Sequence, residues 1–213
     1  MNADAAALMK LVSARRGHFR LESGYHSALW LDLDALFAEP RAIAPFVTEL
    51  SGKIRTHGVS VVCGPLLGGA FLAQLVEHAL DVEFCFTERI TPADPNGLFA
   101  TRYVLPPGFR GRIRRKRVAI VDDVMSAGSA LRGTFAELDA HGATTVVAGA
   151  LLVLGTRGAD FFSERGLPVE CVGREEFDLW APDVCPCCAA GEPVQDMTDS
   201  PASATATNSE ATR

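Results

Sequence analysis

Short apolar runs alternate with amphipathic segments along most of the chain, and the two patterns have different periods. In residues 40–57 apolar residues recur at helical spacing, so that Ile43, Val47 and Leu50 share one face. Runs that are apolar at every position are typical of strands buried on both faces of a parallel sheet. They predict strands at 59–63, 82–87, 118–121, 144–154 and 168–172, and the intervening patterns predict helices at 5–15, 40–57, up to 80, 130–141 and 158–165. This alternation predicts an α/β fold with a doubly wound, mostly parallel sheet.

Three segments depart from the alternation. Residues 18–21 and 28–31 have the pattern of two strands around the turn 22–26, so a hairpin is expected before the sheet. Residues 91–111 are rich in proline and glycine and too long for an ordinary connection, which predicts a mobile functional loop. Residues 198–213 are mostly Ser, Thr and Ala without periodicity, which predicts a disordered tail.

Composition narrows the class of protein. The 213 residues suffice for one domain with an ample core, and 48% apolar with 22% charged residues is typical of a soluble globular protein. The net charge of −6 disfavours nucleic acid as a partner. The chain has no run of 18 apolar residues and no basic start typical of a signal peptide. We therefore expect a cytoplasmic protein without membrane contact.

The chemistry is concentrated after the strand at 118–121. This strand leads directly into Asp122 and Asp123 and then into a turn of small residues at 126–130. A strand, a tight turn and a helix N-terminus form an anion site, because unpaired backbone N–H groups and the helix dipole face the turn. The carboxylates would repel a phosphate, but they suit sugar hydroxyl groups and a nearby magnesium ion. Ligands bind at the carboxyl edge of such a sheet, where the turns 64–69, 122–130 and 155–158 are expected to meet.

Two segments resemble a known family. Residues 118–130 resemble the phosphoribosyl-diphosphate (PRPP) signature of type I phosphoribosyltransferases, and the stretch from Asp122 to Ala130 is most similar to the orotate branch. Residues 17–27 carry the Gly-x-Phe-x-Leu-x-Ser-Gly-x-x-Ser pattern of the N-terminal hood of orotate phosphoribosyltransferases. The resemblance implies the type I phosphoribosyltransferase fold, with a helix and hood at 1–36, a core at 37–180, a cysteine-containing extension at 181–197 and the tail.

The resemblance also implies an activity and its residues. PRPP and orotate would react to give orotidine 5′-monophosphate and pyrophosphate, with Mg²⁺ bound mainly through PRPP, in a homodimer whose loop residues act across the interface. The implied PRPP-binding residues are Asp122, Asp123, Val124, Met125, Ser126, Ala127, Gly128, Ser129, Ala130 and Arg89. The implied pyrophosphate loop, often with a non-proline cis peptide, is Gly64, Pro65, Leu66, Leu67, Gly68 and Gly69. Base contacts are implied for Ser126, Arg157, Phe19, Ser23 and Gly24.

One departure from the orotate pattern concerns the loop at 91–111. The family loop carries a lysine, whereas none of the three lysines of this chain lies in that segment. Arg89 and Arg102 are the candidate substitutes, and they join Asp122 and Asp123 as the expected catalytic residues. Two alternatives stay open: a phosphoribosyltransferase for a purine or another base, and a catalytically inactive regulator that binds PRPP.

The extension contains a possible half of a metal site. Cys185, Cys187 and Cys188 include a Cys-x-x-Cys spacing, but no second pair lies nearby in the sequence. Cys171 or a second subunit could complete such a site. From the sequence we favour the other interpretation, which is a turn with reduced thiols and no metal bound directly by the protein.

Six basic residues lie within 110–117, directly before a predicted strand. This basic run is expected to be a solvated edge.

Overall fold

The computed structural model describes residues 3–33, 35–90 and 97–197. The strands are β1 (Ser13–Arg20), β2 (His26–Asp32), β3 (Val61–Pro65), β4 (Glu83–Ile90), β5 (Arg102–Val104), β6 (Arg117–Met125), β7 (Thr144–Leu154), β8 (Val169–Glu175) and β9 (Gln195–Asp196). The helices are α1 (Ala3–Met9), α2 (Pro40–Arg55), α3 (Gly68–Leu80), α4 (Pro107–Arg110), α5 (Ser129–Ala140), α6 (Arg157–Ser163) and α7 (Pro186–Ala189), with a 3₁₀ helix at Pro182–Val184. None of the described helices is long and apolar enough to cross a membrane.

The central sheet has six strands in the order β5-β4-β3-β6-β7-β8. Its neighbours pair in parallel, except β5, which is antiparallel to β4. On one face α2 and α3 bury Leu50 and Leu72 in a cluster with β6 and β7 residues such as Val121. On the other face α5 and α6 bury Leu131 and Phe162. The doubly wound α/β sheet predicted from the apolar runs is therefore confirmed.

The hood is a three-stranded sheet in the order β2-β1-β9, built from segments far apart in the sequence. β1 and β2 form the predicted antiparallel hairpin, whereas β9 lies parallel to β1. His26 and Trp180 also exchange backbone hydrogen bonds of 2.8 and 3.0 Å. The extension at 181–197 therefore adds a strand to the hood. The sequence alone places the hood only within residues 1–36.

The N-terminal helix is shorter than the sequence predicts. α1 ends at Met9 instead of residue 15, and β1 begins at Ser13. Arg15 lies opposite Trp30 in the β1–β2 register, and its guanidinium carbon is 5.6 Å from the centroid of the Trp30 ring. Cross-strand pairing of this kind outweighs the local helix propensity of the segment.

Residues 97–111 of the predicted loop are more ordered than expected. They contain β5 and α4, and Tyr103 and Leu105 are buried. The Leu105 N–H donates to Glu137 Oε1 at 2.9 Å, so α5 holds the segment against the sheet. A strand of three residues has too little pattern to be recognised beside several glycines and prolines. The part of the predicted loop at 91–96 and the predicted tail at 198–213 lie outside the described residues.

The basic run at 110–117 takes part in local contacts at the sheet edge. Lys116 Nζ and Arg112 Nη2 lie 2.7 and 3.3 Å from the Glu83 carboxylate, and Lys116 makes the largest contribution to lowering the pKa of Glu83. Arg117 donates to the backbone carbonyls of His57 and Gly58. These contacts support the interpretation of a partly solvated structural edge.

Candidate active site

A cleft of about 780 Å³ lies at the switch point of the central sheet. β3 and β6 are neighbours there, and the chain continues from β3 to β4 on one side and from β6 to β7 on the other. Strand order that diverges in this way leaves a crevice beyond the carboxyl ends of the strands. The turns after β3 and β6 form one wall and the hood forms another. Described lining residues include Leu21, Glu22, Ser23, Leu29, Trp30, Leu31, Pro65, Leu66, Leu67, Gly68, Glu88, Arg89, Tyr103, Asp122, Asp123, Val124, Ser126, Ser129, Ala130 and Met197.

Asp122 and Asp123 lie together at the end of β6, where their carboxylates face the cleft. The Asp123 N–H donates to Asp122 Oδ1 at 3.1 Å, and the Val124 N–H donates to Asp123 Oδ1 at 2.7 Å. Burial and the neighbouring Asp123 carboxylate raise the pKa of Asp122 well above its usual range. Two adjacent acids of this kind favour a ligand that brings hydroxyl donors or a cation.

The turn after β3 lies directly over this acid pair. Its peptide bond between Leu66 and Leu67 is cis, as the family resemblance implies. A Cβ added to Gly68 would collide with the Asp123 carboxylate, and one added to Gly69 would lie 2.8 Å from Asp122 Oδ1. The two glycines are therefore required for the backbone of this turn to approach the carboxylates closely.

The turn after β6 ends in a helix N-terminus that faces the cleft. Gly128 caps α5 with a left-handed φ of 73°, and a Cβ there would lie 3.1 Å from Gly158 Cα. The Gly158 N–H donates to the Ser126 carbonyl at 2.9 Å, which fixes the turn against α6. The hydroxyl-bearing residues Ser126 and Ser129 line the cleft beside this helix end. Hydroxyl groups and a helix N-terminus together provide donors that suit a phosphate.

Glu22 is a cleft residue that the sequence analysis did not single out. Its Oε1 accepts hydrogen bonds from Tyr103 Oη at 2.7 Å and Ser129 Oγ at 3.1 Å, and its Oε2 accepts from Arg89 Nη1 at 3.2 Å. Burial and the Glu22 charge raise the pKa of Tyr103, so the phenol stays protonated and donates. Glu22 thus occupies donors that an anionic ligand would use. The hood pattern leaves its position unspecified, so no local signal marked it.

Glu22→Gln is expected to lower the KM for PRPP, the substrate that the family resemblance implies, by about three- to tenfold, because it removes a charge that competes with phosphate for Arg89 and Ser129. Initial rates at varied PRPP measure the effect. Glu88→Gln is the matched control, since it removes a second carboxylate that lines the same cleft, while Arg89, Tyr103 and Ser129 donate to Glu22. An unchanged or raised KM in Glu22→Gln would show that the carboxylate does not compete with the substrate.

The structure separates the sequence-predicted site residues into two groups. The cleft lining contains both aspartates, Arg89, Ser23, Val124, Ser126, Ser129, Ala130 and residues 65–68. Gly64, Gly69, Met125, Ala127 and Gly128 belong to the same two turns but do not line the cleft. Phe19, Gly24, Arg102 and Arg157 also lie outside the lining.

Of the predicted base contacts outside the cleft lining, Phe19 and Gly24 belong to the hood, and Arg157 at the start of α6 contacts it. Phe19 is fully buried, and Gly24 occupies the hood turn with φ 81° against residues 97–98. The Arg157 guanidinium carbon lies 4.7 Å from the centroid of the Tyr25 ring, and Nη1 donates to the Tyr25 hydroxyl at 3.4 Å. The hood contact of Arg157 was not predictable because Tyr25 is 132 residues away in sequence. In this arrangement none of the three lines the cleft, and their base contacts stay a prediction.

Residues 33–186 match the family model of the phosphoribosyl transferase domain. This match spans most of the chain, and it includes the acid pair and the glycine-rich turns of the cleft, whereas the hood residues of the cleft precede it. The chain therefore belongs to the phosphoribosyltransferase family, a class of glycosyl-transferring enzymes.

Two sequence relatives of this chain are named orotate phosphoribosyltransferases. The orotate phosphoribosyltransferase of Pelotomaculum thermopropionicum is 30% identical over 190 residues, covering 88% of this chain and 92% of that protein. The orotate phosphoribosyltransferase of Thermotoga maritima is 28% identical over 190 residues, covering 88% and 93%.

Solved structures confirm the fold across branches that differ in the base. The orotate phosphoribosyltransferase of Aeropyrum pernix superposes with a TM-score of 0.61 at 22% identity, covering 80% of this chain and 93% of that chain. The adenine phosphoribosyl transferase of Trypanosoma brucei, solved with AMP, pyrophosphate and ribose-5-phosphate, gives 0.63 at 16% identity, covering 81% and 80%. Overall shape therefore does not distinguish pyrimidine from purine substrates.

Proposed function

We propose that this protein transfers the phosphoribosyl group of PRPP to orotate, giving orotidine 5′-monophosphate and pyrophosphate. The observation that carries the proposal is one cleft in which the acid pair, the glycine-rich turn after β3 and the hood face one another. The hood pattern at 17–27 and the names of the sequence relatives support orotate as the base.

The proposed roles follow from the positions of the groups. Asp122 and Asp123 would accept hydrogen bonds from the ribose hydroxyls and balance positive charge that develops at the ribose C1. The 126–130 turn would bind the 5′-phosphate, and the backbone at 64–69 would bind the pyrophosphate. Attack by the base nitrogen on C1 forms the new bond while the C1–oxygen bond to pyrophosphate breaks. The protein would act mainly by positioning these reactants.

The charge of the cleft fits a metal-bound substrate. Four carboxylates, from Glu22, Glu88, Asp122 and Asp123, and one guanidinium, from Arg89, line the part of the cleft that the structure describes. A polyanion would be repelled by this lining unless cations accompany it. Mg²⁺ prefers carboxylate and phosphate oxygens, so the acid pair suits Mg²⁺ that enters with PRPP and offsets the phosphate charge.

A partner subunit is the second source of positive charge in this proposal. Leu67, which caps α3, and Phe71 and Leu75 within α3 are spaced four residues apart, and their side chains are exposed. Leu67 also lines the cleft. An apolar stripe of this kind is typical of a protein interface. We propose that it contacts a second copy of the chain and that Arg102, on the exposed edge strand β5, acts in the partner's cleft.

One assay distinguishes the proposed function from its alternatives. Pyrophosphate release from PRPP and Mg²⁺ is measured with orotate, uracil, adenine, hypoxanthine and xanthine in turn. Release with orotate alone supports the proposal, whereas release with adenine, hypoxanthine or xanthine instead would identify a purine enzyme. PRPP binding by calorimetry without release for any base would identify a regulator.

Phe71→Glu is expected to convert the dimer into a monomer, because a charge in the centre of an apolar interface cannot be solvated there. Light scattering during size-exclusion chromatography measures the mass. Glu77→Ala, on the same helix, is the control for a surface change in α3 outside the stripe. A monomeric wild type, or a dimeric Phe71→Glu variant, would refute the α3 stripe as the interface.

A further inference from the structure

Four metal-ligating side chains converge outside the cleft: His18, His26, Cys185 and Cys188. The histidines belong to the hood strands β1 and β2, and the cysteines belong to the C-terminal extension. His18, His26 and Cys185 are buried, with 3%, 6% and 2% of their surface exposed. None of the four lines the cleft between β3 and β6. The proposed transferase reaction therefore does not account for this cluster.

The distances match the edges of a tetrahedron around one ion. His18 Nε2 lies 2.9 Å from His26 Nδ1, 3.5 Å from Cys185 Sγ and 3.6 Å from Cys188 Sγ. Cys188 Sγ lies 3.3 Å from His26 Nδ1, and all four ligand atoms lie within 4.8 Å of one another. Tetrahedral Zn²⁺ with its usual bond lengths requires N–N, N–S and S–S separations of about 3.3, 3.5 and 3.8 Å. Small side-chain adjustments would suffice to admit the ion.

The surroundings of His18 favour metal ligation. His18 Nδ1 lies 2.9 Å from the backbone carbonyl of Glu192, which can only accept a hydrogen bond. The proton is therefore on Nδ1, and the lone pair of Nε2 points into the cluster. A backbone carbonyl that fixes the tautomer of a metal-bound histidine is a common outer contact of zinc sites.

The local chain geometry also selects two of the three cysteines. Cys185 caps α7 and Cys188 lies three residues later, so the helical turn brings both sulfurs to the same side. Cys187, between them, is not part of the cluster. Cys171, which the sequence offered as a possible ligand, lies on β8 of the central sheet and is also absent from it.

We propose that His18, His26, Cys185 and Cys188 bind one structural Zn²⁺ ion that joins the C-terminal extension to the hood. Two nitrogen and two sulfur ligands suit zinc and do not suit magnesium. A complete set of four protein ligands leaves no open position for a substrate, which makes the site structural and not catalytic. This replaces the interpretation of residues 185–188 as a turn of metal-free thiols.

The site would also determine the position of the hood turn. His18 and His26 flank the segment that carries Glu22 and Ser23 into the cleft. A metal that holds both histidines would fix the two ends of this segment and hold β9 beside β1. Zinc binding is thus expected to order the wall of the cleft without contacting the substrate.

The test uses the full chain purified under reducing conditions, with zinc supplied during expression, and measures bound metal by plasma mass spectrometry. The wild type is expected to contain one zinc per chain. Cys188→Ser and His18→Ala are expected to lose it, whereas Cys187→Ser, the matched control one residue away, is expected to retain it. Replacement of zinc by Co²⁺ is expected to give the absorption spectrum of a tetrahedral site with thiolate ligands.

A second measurement separates metal loss from misfolding. Chelation of zinc from the wild type is expected to increase hydrogen exchange at residues 18–26 and 185–196, and added Zn²⁺ should reverse the increase. A wild type that binds neither zinc nor Co²⁺ while reduced would overturn the proposal. Zinc retained by Cys188→Ser, or lost by Cys187→Ser, would overturn the assigned ligands. These results do not depend on the base that the enzyme uses.

Discussion

Asp123→Asn is expected to keep the fold and to lower turnover by about 100-fold or more, the usual cost of removing one charge-stabilising group. The substitution conserves volume, and an amide oxygen can still accept from the Val124 N–H. It removes the negative charge that faces the ribose and its metal in the proposed mechanism. Steady-state rates with PRPP and orotate measure the loss, and the melting temperature checks the fold. Turnover within about threefold of wild type, or about 0.65 kcal/mol, would remove the acid pair from the mechanism.

Asp122→Asn is the matched comparison for Asp123→Asn, and it is also expected to change the melting temperature in a pH-dependent way. Burial and Asp123 raise the pKa of Asp122, so the folded state disfavours its ionised form. The resulting loss of folding stability is absent at a pH below the ordinary carboxyl pKa. It grows as the pH rises from there towards the raised pKa of Asp122 in the folded state. The variant should therefore melt about 2–4 °C higher than wild type at neutral pH, with the difference shrinking in acid. An equal or lower melting temperature at neutral pH would contradict strain between the two carboxylates.

A mixed dimer of Arg102→Ala and Asp123→Asn chains is expected to recover activity that neither variant has alone. If Arg102 acts across the interface, the cleft with an intact Asp123 receives its arginine from the other chain. Random mixing of equal amounts gives hybrids as half of the dimers, each with one complete site, so about a quarter of wild-type activity should return. Co-expression with two affinity tags isolates the hybrids, which should then show about half of wild-type activity per dimer.

Two results would contradict this arrangement. Failure of the hybrid to exceed either parent would place Arg102 in the cleft of its own chain or outside catalysis. Wild-type rates in Arg102→Ala alone would exclude the residue as a substitute for the missing loop lysine. The corresponding Arg89→Ala and Asp123→Asn hybrid is the control, because Arg89 lines the cleft of its own chain and no recovery is expected.

The sequence was sufficient for the central architecture and for the chemical centre of the cleft. β3, β7 and residues 118–121 of β6 are continuous or nearly continuous apolar runs, and α2 has a clear apolar face, so short-range pattern identifies these elements. Asp122, Asp123 and the turn at 126–130 are contiguous, and strand order brings them to the turn at 64–69. Local pattern thus determined which segments meet at the switch point.

Tertiary structure alone decided the features that join distant segments. Glu22 meets Ser129 across 107 residues, Arg157 meets Tyr25 across 132, and Cys188 meets His26 across 162. Periodicity and spacing describe neighbours along the chain, so they carry no signal for such pairs. The half zinc motif could not be completed from the sequence, because the histidines lie in β1 and β2 and meet the cysteines of the extension only in the tertiary structure, where β9 pairs with β1. The sequence determined the chemistry of each segment, and the packing of the hood determined which of those chemical groups came together.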